Sequence, residues 1–341
     1  MQENTPTQDE WSRLYQAAIR VKEMSPWEWM TETDIFGVED PKTGDKRFIS
    51  VMGMLGEHYS VAVYLGWKGL YKFWSFQERG HESTPEDFFE IPQLQASYEN
   101  RKELTKKDRE VIKELGLKFR GRQAWPMFRS YRPGYFPWYV DGDEARMLTC
   151  ALEQVEEMAP KLREDASLLE SGGGESYLMR VYREGEWIDE LVEILPPEPT
   201  MIPMPMDVEA LEALKKARRQ VRSVEMDFFM LPARIGERGK RPTCAYALLM
   251  VESRSGMILG NELLGPEPTL EEMYGRVPVT VVHLLVRTGL VPREVKVKSE
   301  LLCGLLQPLG EELGLRIRQM RRLPNLEPAK ANLMQWMGGG K

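Results

Sequence analysis

The residues most concentrated for chemistry are the cations of the C-terminal part. Lys215-Lys216-Ala217-Arg218-Arg219-Gln220-Val221-Arg222 places five of them in eight positions. Arg234, Arg238, Lys240 and Arg241 crowd one short segment, and Arg316, Arg318, Arg321 and Arg322 another. Clusters of this kind neutralise phosphates, so Arg219, Arg222, Lys240, Arg241, Arg318, Arg321 and Arg322 are candidate nucleic-acid contacts. Two other readings stay open, a solvated face and docking to an acidic surface of the same chain. Residues 1–200 supply such a surface, with 25 Lys+Arg against 37 Asp+Glu (net −12). Residues 201–341 carry 21 against 16 (net +5), which together give the −7 of the whole 341-residue chain.

A second concentration is aromatic. Tyr131-Arg132-Pro133-Gly134-Tyr135-Phe136-Pro137-Trp138-Tyr139 sets rings beside an arginine. Such a segment can stack bases or dock a peptide, which makes Tyr131, Arg132, Tyr135 and Trp138 candidate partner contacts. It serves equally as a rigid loop whose rings close a core. Trp27 and Trp29 flanking Glu28 read as half-buried packing rather than a carbohydrate platform. Asp141-Gly142-Asp143-Glu144 has the look of a metal loop, but acids at a helix start are favoured by the exposed amides there, and capping is the expectation.

Other chemistries lose their support. Cys150, Cys244 and Cys303 are an odd, widely spaced set that suits buried thiols in a reducing cytoplasm. His58, His81 and His283 have no zinc-motif spacing, and His283 lies in an apolar run that predicts a packed helix position. The sequence contains no G-x-G-x-x-G, no G-x-x-x-x-G-K-[ST] and no G-x-S-x-G. Hydrophobic residues at 42% and charged residues at 29% are the balance of a soluble globular protein. No apolar run approaches the roughly 20 residues that cross a bilayer, and the polar, acidic start is no secretory signal, so no membrane is expected.

The elements that position these residues fall into two domains. Five prolines between Pro196 and Pro205 predict a semi-rigid linker over 196–206. A mixed α+β domain precedes it (1–195) and a second domain with a leading basic helix follows (207–341). In the first, helical spacing covers 9–24, 67–76, 103–115 and 143–169, the last broken at Pro160 and ended by Ser171-Gly172-Gly173-Gly174. Strands are expected over 47–54 and 59–65 as a hairpin, 121–131, and 177–182 with 187–194 around Gly185. In the second, a basic helix over 208–222 precedes strands at 228–235, 245–251 and 257–264. A helix from 270 to 288, a strand at 294–298, a helix at 301–313, a strand at 315–320 and a helix at 327–337 follow.

Three meandering strands followed by α-β-α-β-α resemble the ribonuclease H-like fold. Glu225-Met226-Asp227 followed by Tyr246-Ala247-Leu248-Leu249-Met250-Val251-Glu252-Ser253-Arg254-Ser255-Gly256 is similar to the opening of an integrase or transposase core. The whole chain also resembles an uncharacterised family of bacterial two-domain proteins that carry this unit behind an N-terminal domain of unknown function. The resemblance implies an acid on the first strand, one at the end of the fourth and one on a late helix, holding two divalent metals. Asp227 matches the first and Glu300 is nearest to the second. The late helix offers Asn332 and Gln335 instead of an acid, with Glu327 in its first turn. Neutral amides replace carboxylates poorly around hard cations. The expectation is therefore a non-catalytic binding or regulatory module that engages nucleic acid or a protein, with no cofactor required. The alternatives are a Mg- or Mn-dependent nuclease using Asp227 and Glu300, and an interaction scaffold built on the aromatic segment.

Overall fold

The computed structural model describes residues 4–80, 85–169, 176–197, 201–217, 219–237 and 239–338, leaving out the side chains of 85–86, 219–221, 232 and 336–338. The triple-glycine helix stop at 171–174, His81, Arg218 and Arg238 lie outside the described residues, as does the Arg219 side chain. The chain is α+β and divides into two compact units, Met1–Pro133 with Pro137–Glu198, and Gly134–Phe136 with Pro199–Lys341.

The first unit is a seven-stranded sheet in the order β5-β4-β3-β2-β1-β6-β7. The strands are β1 (Phe36–Glu39), β2 (Lys46–Met52), β3 (Ser60–Leu65), β4 (Gln93–Glu99), β5 (Trp125–Tyr131), β6 (Ser176–Arg183) and β7 (Glu186–Glu193). All neighbours are antiparallel except β1 and β6. Alternation sends Ile49 and Val51 of β2 to one face and Phe48 to the other. The first face is covered by α1 (Gln8–Met24) and α5 (Gly142–Glu164), the second by α2 (Gly66–Arg79). The short α3 (Pro85–Phe89) and α4 (Lys106–Glu114), with 3-10 turns at Pro26–Glu28 and Ala166–Leu169, complete the described elements of this unit. Pro160 lies inside α5 without ending it, because tertiary burial of Met158, Ala159 and Leu162 outweighs one lost backbone bond. Asp141 caps α5 through Glu144 N, as the acid-rich start predicts.

The second unit is a five-stranded sheet in the order β10-β9-β8-β11-β12. Its elements run α6 (Val208–Lys216), β8 (Arg219–Ile235), β9 (Thr243–Glu252), β10 (Ile258–Leu264), α7 (Leu270–Thr288), β11 (Val291–Val297), α8 (Glu300–Leu313), β12 (Arg316–Gln319) and α9 (Glu327–Gly338). β8, β9 and β10 pair antiparallel, while β11 and β12 run parallel to β8, so each arrives by a helical crossover. Leu248, Met250, Val224 and Met226 face the core under α7 and α8, and Leu249, Val251, Phe229 and Leu231 face the core under α9.

Two further expectations are corrected. The basic helix over 208–222 stops at Lys216, and Arg219–Arg222 opens a 17-residue strand. That strand gains bonds to β9 and β11 that a helical continuation would forgo. His283 is exposed rather than packed, with Nε2 2.9 Å from Asp207 Oδ2.

The proline-rich segment also meets this unit closely. Ile202 packs against the α7/α8 core, and a Cβ on Gly275 of α7 would lie 2.0 Å from the Pro203 carbonyl oxygen. Gly275→Ala therefore has to push that backbone away. We expect a loss of about 1–3 kcal/mol, read as a lowered melting temperature of the second unit. An unchanged melt would show that the segment does not bear on α7.

Candidate functional site

Glu225 and Asp227 stand on the same face of β8, the face that α9 covers. Both are buried, at 2% and 8% exposure. Glu225 is engaged entirely with the start of α9. Its carboxylate accepts from Asn325 N (2.9 Å), Leu326 N (3.0 Å) and Asn325 Nδ2 (3.1 Å), and Asn325 Nδ2 also donates to Ser253 O (2.8 Å). A carboxylate on free helix N–H groups satisfies orphan donors and favours the helix dipole. Sequence reasoning missed this role, although an acid at a core-facing position of an alternating strand is a readable signal.

Asp227 is held differently. Its Oδ1 accepts from Phe228 N at 3.0 Å, and its Oδ2 lies 2.7 Å from Lys330 Nζ. The Lys330 ammonium is also 4.2 Å from the centroid of the Phe229 ring. Strand and helix thus place a lysine directly on the acid of the first strand of this sheet. Beside the pair, between α9 and the end of β11, runs a groove of ≈310 Å³ whose polar side is made by Asp227, Lys298, Glu327 and Lys330.

Glu300 is not part of this groove. It is the exposed first residue of α8, behind the Ser299 cap. Among the described residues no three His, Cys, Asp or Glu side chains come together as metal ligands. The donor set around Asp227 therefore does not fit a divalent pair. Its nearest cation is an ammonium, and the second acid of the expected pair is absent from the groove.

The basic candidates separate into two places. Val295, Val297 and Ile317 face the α7/α8 core, so alternation turns Lys296, Arg316 and Arg318 to the other face, with Lys296 and Arg318 directly opposite across β11 and β12. β12 is the edge of the sheet, and Arg316, Arg318, Arg321 and Arg322 are exposed. Arg222 is exposed on the part of β8 that pairs with β11. Lys240 and Arg241 sit instead in the β8–β9 turn, beyond Ile235. That is some nine residues past the last β11 contact at Met226, or roughly 30 Å along an extended strand. Lys240 is paired there with Glu237 at 2.7 Å.

The aromatic segment is tied down. Tyr131 donates to Gln95 Oε1 (2.8 Å) and packs on Phe88 and Phe89, and burial pushes its hydroxyl up to about 12. Arg132 reaches Glu144 Oε1 (2.9 Å) and Asp141 Oδ2 (3.3 Å). Trp138 exchanges backbone bonds with Ser130, and its ring meets Tyr139 edge-on. Tyr135 belongs to the second unit, where it bridges to Thr243.

Residues 11–180 match the model of a domain of unknown function (DUF7309), and residues 210–334 match that of a second domain of unknown function (DUF6930). No curated protein matches the chain.

Proposed function

We propose that this chain, which joins two domains of unknown function, is a non-catalytic nucleic-acid-binding protein whose second unit is a ribonuclease H-like fold with its acidic site closed by a lysine. The sheet order β10-β9-β8-β11-β12, with three antiparallel strands and two parallel ones reached through helices, supports the fold reading. The observation that carries the functional reading is the Asp227–Lys330 pair at 2.7 Å. A protein ammonium stands where a metal-dependent nuclease of this fold would hold a cation, and α9 supplies it where such a nuclease would supply an acid. Binding then falls to the cations of the β11–β12 face and the turn after it, the half-buried Lys296 and the exposed Arg318, Arg321 and Arg322. Their positions along an edge strand suit a phosphate backbone followed by charge rather than bases read by hydrogen bonds.

The test is fluorescence anisotropy with single- and double-stranded DNA and RNA across a salt series. Binding should weaken steeply with salt. Arg318→Ala, Arg321→Ala and Arg322→Ala combined should lower affinity about 10- to 100-fold and flatten the salt slope by about 2–3. Lys240→Ala with Arg241→Ala should change little, since those side chains lie at the far end of the β8–β9 hairpin. Absent or salt-independent binding would overturn the reading.

A further inference from the structure

We propose that β7 is a strand-addition site for an extended basic segment of a partner protein. β7 is an edge of the seven-stranded sheet, and among the described residues its backbone bonds to β6 alone. The opposite edge differs, since Trp138 exchanges backbone bonds with Ser130 of β5. An edge strand is a template for another chain unless shortness, a proline, a bulge or charge protects it. β7 is eight residues long, has no proline, and pairs with β6 from Arg183↔Glu186 to Ser176↔Glu193 without a break. The β6–β7 turn fixes which of its backbone groups are free. Glu184 and Gly185, both at positive φ, form a two-residue turn that makes Arg183 and Glu186 a hydrogen-bonded pair. Alternation along the antiparallel ladder then turns the N–H and C=O of Ile188, Glu190 and Val192 toward β6, and those of Trp187, Asp189, Leu191 and Glu193 outward.

Charge is the one protective device left, and here it selects. Glu186-Trp187-Ile188-Asp189-Glu190-Leu191-Val192-Glu193 reads acid-apolar-apolar-acid-acid-apolar-apolar-acid, the same in either direction. Asp189 is committed to Arg180 and Lys161. Glu186, Glu190 and Glu193 are exposed, and among the described residues no cation meets them. Ile188 and Leu191 are also open to solvent, at 41% and 52% exposure. A second copy of β7 laid along the first would set acid against acid at every charged position, which refuses self-pairing. A strand reading basic-apolar-apolar-basic-basic-apolar-apolar-basic sets a cation opposite each acid and an apolar side chain opposite each apolar one. Its backbone meets the outward groups of β7 in the manner of β-strand addition.

Fluorescence anisotropy of a labelled Lys-Val-Val-Lys-Lys-Val-Val-Lys peptide on the full chain tests this, against an isomer in which lysine and valine alternate. The isomer has the same charge and composition but puts every lysine on one face. The patterned peptide should bind with Kd between about 10 and 500 μM, and about fivefold or more tighter than the isomer. Its fully N-methylated counterpart, which keeps the charges and donates no backbone bond, should not bind. Leu191→Pro removes an outward N–H and leaves the bonds to β6 in place, and should weaken binding about tenfold or more. Glu190→Gln with Glu193→Gln is the second arm. Both side chains are exposed, so the fold is kept, and affinity should drop about 3- to 10-fold. Equal binding of the isomer or of the N-methylated peptide, unchanged affinity in both variants, or no saturation up to about 5 mM peptide would overturn the proposal. So would a dimer in sedimentation that Leu191→Pro dissociates, since a second copy would then occupy the edge.

Discussion

Asp108→Ala is expected to cost the first unit about 3–5 kcal/mol, a large fraction of what holds a domain folded. One carboxylate does two things at this position. It accepts both arms of the Arg129 guanidinium, at 2.9 and 2.7 Å, with both side chains nearly buried. It also closes the capping box of α4, accepting from Thr105 N at 2.9 Å and from the Thr105 hydroxyl at 2.7 Å. Truncation leaves a guanidinium beside Tyr139 with no counter-charge, and two orphan donors at the helix start. Burial pushes the Asp108 carboxyl up, but Arg129 and the Thr105 donors oppose it and the net direction is down. A carboxylate depressed in the folded state contributes stability that is complete above its unfolded value near 3.9 and is lost as pH falls through the folded value. Urea unfolding followed by tryptophan fluorescence reports this unit, because eight of the nine tryptophans precede the proline-rich segment. Between pH 5 and about pH 2 the wild-type midpoint should fall toward that of Asp108→Asn, which lacks this titration. A variant within about 1 kcal/mol of wild type at pH 7 would show that the pair has no net worth.

The local part of this architecture was legible because its causes are local. Thr105 three residues before Asp108, and Asp141 three before Glu144, announce their helix starts, and both caps form as boxes. In the second unit the antiparallel run β8-β9-β10 follows from its short turns, and the parallel direction of β11 and β12 from their helical crossovers. What stayed hidden depends on partners far along the chain. β4 stays unassigned, since Gln93, Gln95 and Ser97 dilute the apolar set Leu94, Ala96 and Tyr98, yet residues on both of its faces are buried in the interior of the sheet. The run of cations at 215–222 has a helical look until β11, some 70 residues later, offers Arg219–Met226 a parallel edge. Lys330 is 103 residues from Asp227, and nothing around either marks them as a pair. The acid of the site was visible and its counter-charge was not, and the counter-charge decides what the acid can do.

Lys330 therefore offers the sharpest test of that decision. Lys330→Met removes the ammonium and leaves Asp227, only 8% exposed, with the Phe228 N–H as its remaining partner. Full burial of the pair would put the loss at about 3–5 kcal/mol, but the lysine side chain is one-third exposed and water shares its charge, so about 2–3 kcal/mol is expected. Asp227→Asn combined with Lys330→Met should recover most of it, since no charge is then stranded. Lys330→Glu goes further by setting a second carboxylate against Asp227, with Glu327 one turn earlier on α9. Without metal it should be the least stable of the set, and manganese should restore it, by about 2.7 kcal/mol at a hundredfold excess over Kd. The wild type should show no such response in a thermal melt, because Lys330 already neutralises the acid. A wild-type protein stabilised by manganese and cleaving DNA or RNA would reverse the conclusion, making the lysine a displaceable lid on Asp227 and Glu327 the other carboxylate at hand in the groove.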